Sequence, residues 1–184
     1  MNVGDSAVRR WIRLLEALSD GVGRGICWLT LGMVLVTFLV VLLRYAFDLG
    51  WIAMQESVTY MHGLVFMLGA AYTLRHNGHV RVDIFYRKLG VRGRLWVDLL
   101  GALVLLIPTC VFIAWMSWDY VSVSWEVHEG SREAGGLPGV FLLKTLLLVM
   151  PLLLLVQAVA GVVRDLLLLT VGNGWEEEQP EGEL

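Results

Sequence analysis

The chain has 184 residues, 57% of them apolar and only 17% charged, with a mean hydropathy of +0.69. A soluble domain of this length has no interior large enough for so much apolar surface, so composition places the chain in a membrane. The formal charge of −3 hides a segregation: five of the seventeen acids fall in the last nine residues, while bases cluster before the first apolar run and after the second.

Residues 1–25 carry Arg9, Arg10, Arg13 and Arg24 on a segment where Trp11, Leu14, Leu15, Leu18 and Val22 recur at helical spacing. That pattern predicts an interfacial amphipathic helix in the headgroup plane, or an amphipathic lead-in to the first span. Ile26–Leu43 then runs eighteen residues without a charge. It is too long for the apolar core of a signal peptide and has no small-residue cleavage site behind it, so it reads as a span. Arg44 closes it, and Tyr45, Phe47 and Trp51 supply aromatic anchors. After a short link, Glu56 opens a second uncharged run, Ser57–Leu74, whose Gly63, Gly69, Ala70 and Ala71 suit close helix contact. His62 is the one histidine in the four apolar runs, and a neutral, hydrogen-bonded packing role is expected for it.

A basic segment follows, with Arg75, His76, His79, Arg81, Asp83, Arg87, Lys88, Arg92 and Arg94. The next helical pattern runs from about Gly93 to Val127, longer than one bilayer thickness, with a kink expected at Pro108. Residues 126–139, EVHEGSREAGGLPG, form a polar hairpin with Gly and Pro as turn markers. A fourth apolar run, Thr145–Val163, carries Pro151 and ends at Arg164 and Asp165. From Gly172 the chain is an acidic tail of disordered composition.

The expected fold is therefore an all-α integral membrane protein with four transmembrane helices. The divisions are a segment at 1–25, a membrane domain at 26–171 with spans near 26–44, 56–74, 95–125 and 140–165, and a tail at 172–184. A cytoplasmic N-terminus places eleven bases on the cytoplasmic side against Arg44, Arg132 and Lys144 on the other. Lys and Arg concentrate on the cytoplasmic side of membranes, so both termini are predicted to lie there.

Chemistry has little foothold. Cys27 and Cys110 make no disulfide framework and read as small buried hydrophobes. His76 and His79 have H-x-x-H spacing but lack further ligands apart from Asp83, and one histidine in the spans cannot supply two axial haem ligands. No nucleophile–base pair, phosphate loop or paired-carboxylate site is present, so no catalysis, cofactor or nucleic-acid partner is expected.

Taken in order, Arg44-Tyr45, Trp51-x-x-x-x-Glu56, an apolar span ending Leu68-Gly69-Ala70, and Gly78-His79-Val80-Arg81-Val82-Asp83 form a pattern. It resembles the small permease subunit of tripartite ATP-independent periplasmic (TRAP) transporters, whose segment after the second span usually reads His-Ile-Arg-Val-Asp. Leu137-Pro138-Gly139 before a span containing Pro151 is also similar. The resemblance covers residues 20–165 or so, and departs at Gln55, where many relatives are more acidic. It implies a non-enzymatic scaffold in the bacterial inner membrane, paired with a large permease subunit that holds the solute and ion sites, sodium being the expected ion. A periplasmic solute-binding protein would deliver the solute, commonly an organic acid. Two other classes fit four apolar helices: a self-sufficient dimeric exporter, and a membrane anchor for a redox or signalling enzyme.

Three residue-level expectations follow. Arg44 and Glu56, flanking one short link, should interact directly or through water. Asp83 should accept hydrogen bonds from backbone N–H groups, His79 or Arg81, ordering the turn at 76–83. Glu126, Glu129 and Glu133 share one face if the helix continues outward, and that face would meet the binding protein.

Overall fold

The computed structural model describes residues 3–79, 83–86 and 88–171. Its regular structure is helical throughout: α1 (Val3–Ala46), α2 (Ile52–Arg75), α3 (Asp83–Tyr86), α4 (Val91–Leu100), α5 (Ile107–Glu126) and α6 (Val140–Val171), with π-helical turns at Gly101–Leu106 joining α4 to α5. Three stretches are long and apolar enough to cross a membrane: Ser19–Ala46, Val91–Glu126 and Val140–Thr170. The fourth long helix, α2, has 24 residues and so spans ~36 Å. It is less apolar than those three stretches, its sequence being interrupted by Gln55, Glu56, Ser57, Thr59, His62 and Thr73.

Two sequence expectations take definite form here. Of the two readings of the N-terminal segment, the helix has the form of the lead-in: it continues unbroken into the first apolar stretch, making α1 44 residues long. No proline interrupts it, and Gly21, Gly23 and Gly25 weaken a helix without removing any hydrogen-bond donor. Near Pro108, the helical register shifts. Pro108 has no N–H to give, and the Ile107 N–H reaches back five residues to the Ala102 carbonyl. Pro151 sits inside α6 with its ring fully buried.

The helices pack around α6, which touches α1, α2, α4 and α5, while α2 is held between α1 and α6. Small residues on α2 permit this. A Cβ on Gly63 would come within 2.9 Å of Leu143 Cδ1 on α6, and one on Gly69 within 3.2 Å of Ile26 Cδ1 on α1. Such proximity is the contact that small-residue faces provide between membrane helices. The outer surfaces of α1 and α5 are apolar and exposed, with Trp28, Val34 and Phe38 on one and Phe112, Trp115 and Met116 on the other.

Candidate functional site

The polar groups gather at the two ends of the bundle. One end holds the α1–α2 link and the 127–139 loop, and may be called the hairpin end. The other holds the basic segment.

At the hairpin end, α5 stops where its C-terminal carbonyls are capped. His128 takes a left-handed conformation (φ 47), its N–H donates to Trp125 O, and the Glu129 N–H donates to Ser124 O. This is a Schellman cap on a residue other than glycine. Because the helix ends at Glu126, the expected common face of Glu126, Glu129 and Glu133 does not form. Glu126 and Glu133 are exposed, while Glu129 turns inward. Its Oε2 accepts from Lys144 Nζ at 2.5 Å and from Ser124 Oγ at 2.7 Å. The Lys144 hydrogen bond, followed by that from Ser124, holds the Glu129 carboxyl below the usual carboxylate range. The Lys144 ammonium also lies 3.9 Å from the centre of the Tyr120 ring. Trp125 Nε1 donates to Thr145 Oγ1 at 2.9 Å, with its ring edge-on to Phe141. These contacts join the last turn of α5 to the first turns of α6.

Glu56, in the first turns of α2, ties the same loop from the other side. Ser131 Oγ donates to Oε1, and the Leu137 N–H donates to Oε2 at 2.6 Å. The loop closes on itself as the Ser131 N–H donates to Leu137 O at 2.9 Å. Gly136 is required here, since a Cβ would lie 2.4 Å from Ser131 Oγ and 2.8 Å from Glu56 Oε2. Glu56 therefore answers to the 127–139 loop and not to Arg44, which is exposed on the closing turn of α1. Charge pairing across the short link is the obvious sequence inference. The backbone donor at Leu137, 81 residues away, carries no signature in the sequence.

At the basic end, Arg75 forms an ion pair with Asp20 of α1, and His76 Nε2 lies 3.7 Å from the other Asp20 oxygen. The Tyr72 ring fits against Gly23, where any Cβ would collide with it. Asn77, at φ 52, caps α2 as His128 caps α5, with the Gly78 N–H donating to Thr73 O at 2.9 Å. His79 Nε2 reaches back to the Ala70 carbonyl at 3.2 Å. Arg81 and the Asp83 side chain lie outside the described residues, so the expected Asp83 hydrogen bonds do too. Tyr86 OH donates to Asp98 Oδ2 at 2.6 Å. A cavity of about 310 Å³ opens between α2, α4 and α6, rimmed by Arg75, Asp98, Arg164 and Asp165.

His62 departs from its expected packing role. It is exposed on α2, its ring near that of Phe66 with centroids 6.4 Å apart.

Chemically, these groups hold elements together. Among the described residues the buried polar side chains are Ser19, Ser124, Gln157 and Asp165. Each is engaged within the chain: Ser19 with Gln157 between α1 and α6, Ser124 with Glu129, and Asp165 with Arg164.

A family model described as tripartite ATP-independent periplasmic transporters, DctQ component, matches residues 33–168. No curated protein and no solved structure matches the chain.

Proposed function

The chain belongs to the DctQ component family of tripartite ATP-independent periplasmic transporters, and from that premise we propose that it is a four-span inner-membrane scaffold for a large permease subunit. In this reading α2 is the fourth crossing and both termini are cytoplasmic. The basic end faces the cytoplasm, in keeping with the distribution of Lys and Arg, and the hairpin end faces the periplasm. The large subunit carries the path for the solute, an organic acid, and the site for the coupling ion, sodium. A periplasmic binding protein delivers the solute and meets the hairpin end, where Glu126 and Glu133 are exposed.

The observation that supports this reading best is the use made of the buried polar groups. A conduit needs polar side chains or broken helices lining a route near mid-membrane. Among the described residues, the four buried polar side chains are consumed in ties between or within elements. Such a bundle is built to keep its shape.

Reconstitution in liposomes under a sodium gradient, with the binding protein supplied, is the test. This chain alone should show no uptake, and uptake should appear when it is combined with its large partner. Uptake by the chain alone would replace the scaffold with a self-sufficient transporter.

A further inference from the structure

Of the 24 residues of α2, only Gln55, Thr59, His62 and Phe66 are exposed. Spacings of four, three and four put them in one narrow stripe along the helix. The other residues of α2 are partly covered, Ala71 fully, and the helices it packs against are α1 and α6. The stripe is polar where the other outward surfaces are not: exposed α1 and α5 positions at comparable depth carry large apolar side chains such as Val34, Phe38, Phe112 and Trp115. Threonines also occur on those surfaces, but a threonine hydroxyl can return to a carbonyl of its own helix. An exposed imidazole or primary amide has more donors and acceptors than that. His62 sits ten residues into α2, ~15 Å from its start and so near the middle of the helix.

Acyl chains offer no hydrogen bonds to Thr59 and His62, and polar side chains at such depth are costly unless partnered. The bundle has turned them outward, so the partner lies outside this chain. We infer that the Gln55–Thr59–His62–Phe66 stripe is the docking line for a membrane helix of the large permease subunit. That helix presents hydrogen-bonding side chains to His62 and Gln55 and an apolar surface to Phe66. The inference rests on the scaffold reading for the identity of the partner, and adds the face through which the two subunits meet. Neighbouring small residues do not compete for this role, since Gly63 and Gly69 are already spent on α6 and α1.

The test uses the complex of both membrane subunits, with a photo-crosslinking amino acid placed singly at Thr59, His62, Phe66 and Trp115. Adducts with the large subunit should form at the three α2 positions and not at Trp115 on α5. In parallel, Thr59→Leu combined with His62→Leu should lower the yield of co-purified large subunit by about three- to tenfold, the scale of one or two interhelical hydrogen bonds in a membrane. Trp115→Leu should leave it unchanged. Crosslinking needs no stable double variant, so a folding failure would not spare the proposal. Adducts at the α2 stripe with lipid alone, or with a second copy of this chain, would overturn it. Adducts with the large subunit from Trp115 only would overturn this face while leaving the scaffold reading intact. If the unsubstituted chain captures no large subunit, both fall.

Discussion

At the scale of single residues, the hairpin end rests on two carboxylates whose partners lie in different elements. Glu56 accepts from Ser131 and from the Leu137 backbone, so its removal leaves a loop donor without its acceptor. Glu56→Ala should abolish protection of the Leu137 amide against hydrogen exchange, whereas Arg44→Ala should leave it unchanged. Equal loss in both variants would restore the Arg44 pairing. Gly136→Ala tests the same knot sterically and should cost about 1–3 kcal/mol through overpacking, read by thermal unfolding. Glu129 carries a pH dependence. Its carboxyl is held below the ordinary value of 4.5, first by the Lys144 hydrogen bond and then by Ser124. A depressed folded pKa stabilises the protein above the unfolded value, and that contribution is lost as pH falls through the folded value. The α5–α6 junction should therefore stay closed near neutrality and loosen on acidification below about 4.5. Trp125, bonded to Thr145 across the junction, reports the change by fluorescence. In Glu129→Gln the acid transition should disappear.

At the scale of elements, the glycine pattern separates packed faces from open ones. A Cβ at Gly63 meets Leu143 at 2.9 Å, while one at Gly21 meets nothing within 4 Å. Gly63→Leu should push α2 from α6 and cost about 1–3 kcal/mol, with Gly21→Leu close to neutral, both compared by thermal shift. Equal effects would mean that the α2–α6 contact does not limit stability. Helix existence was largely legible in the chain because apolar runs between charged ends carry the strongest signal there is. The third helical pattern, read as about 93–127, is found at 91–126. Less legible was whether the amphipathic N-terminal segment joins the first span, because Gly21, Gly23 and Gly25 weaken a helix there without ending it and no proline marks a boundary. The left-handed caps at Asp48, Asn77 and His128 were invisible for another reason. Glycine usually signals such a cap, and here three other residues take it. The end of α5 at Glu126 followed from one of them, and with it went the acidic face.

At the scale of the whole molecule, what could be read in advance was class and kinship, while the contacts that lock the bundle could not. Lys144 and Ser131 looked like ordinary loop or helix-end residues, and only the fold brings them to Glu129 and Glu56. Orientation is the largest open proposal, and the charge asymmetry makes a sharp statement about it. If α2 crosses, Gly50 in the α1–α2 link and Lys88 before α4 lie on opposite sides of the membrane. The reason is energetic: the eleven bases of the set proposed to be cytoplasmic resist transfer across the bilayer, whereas the set proposed to lie outside is only Arg44, Arg132 and Lys144, with Lys144 held by Glu129. Were α2 to lie on the surface instead, α1 and α4 would emerge on a different pattern of sides, and the Glu56 tie to the 127–139 loop would have to break. Single cysteines at Gly50 and Lys88, in a chain with Cys27 and Cys110 replaced by Ala, decide between these arrangements. A membrane-impermeant thiol reagent applied to intact spheroplasts should label the cysteine at 50 and not that at 88, with the pattern reversed in inside-out vesicles. Labelling of both positions from one side would remove α2 from the membrane, and the four-crossing topology with it.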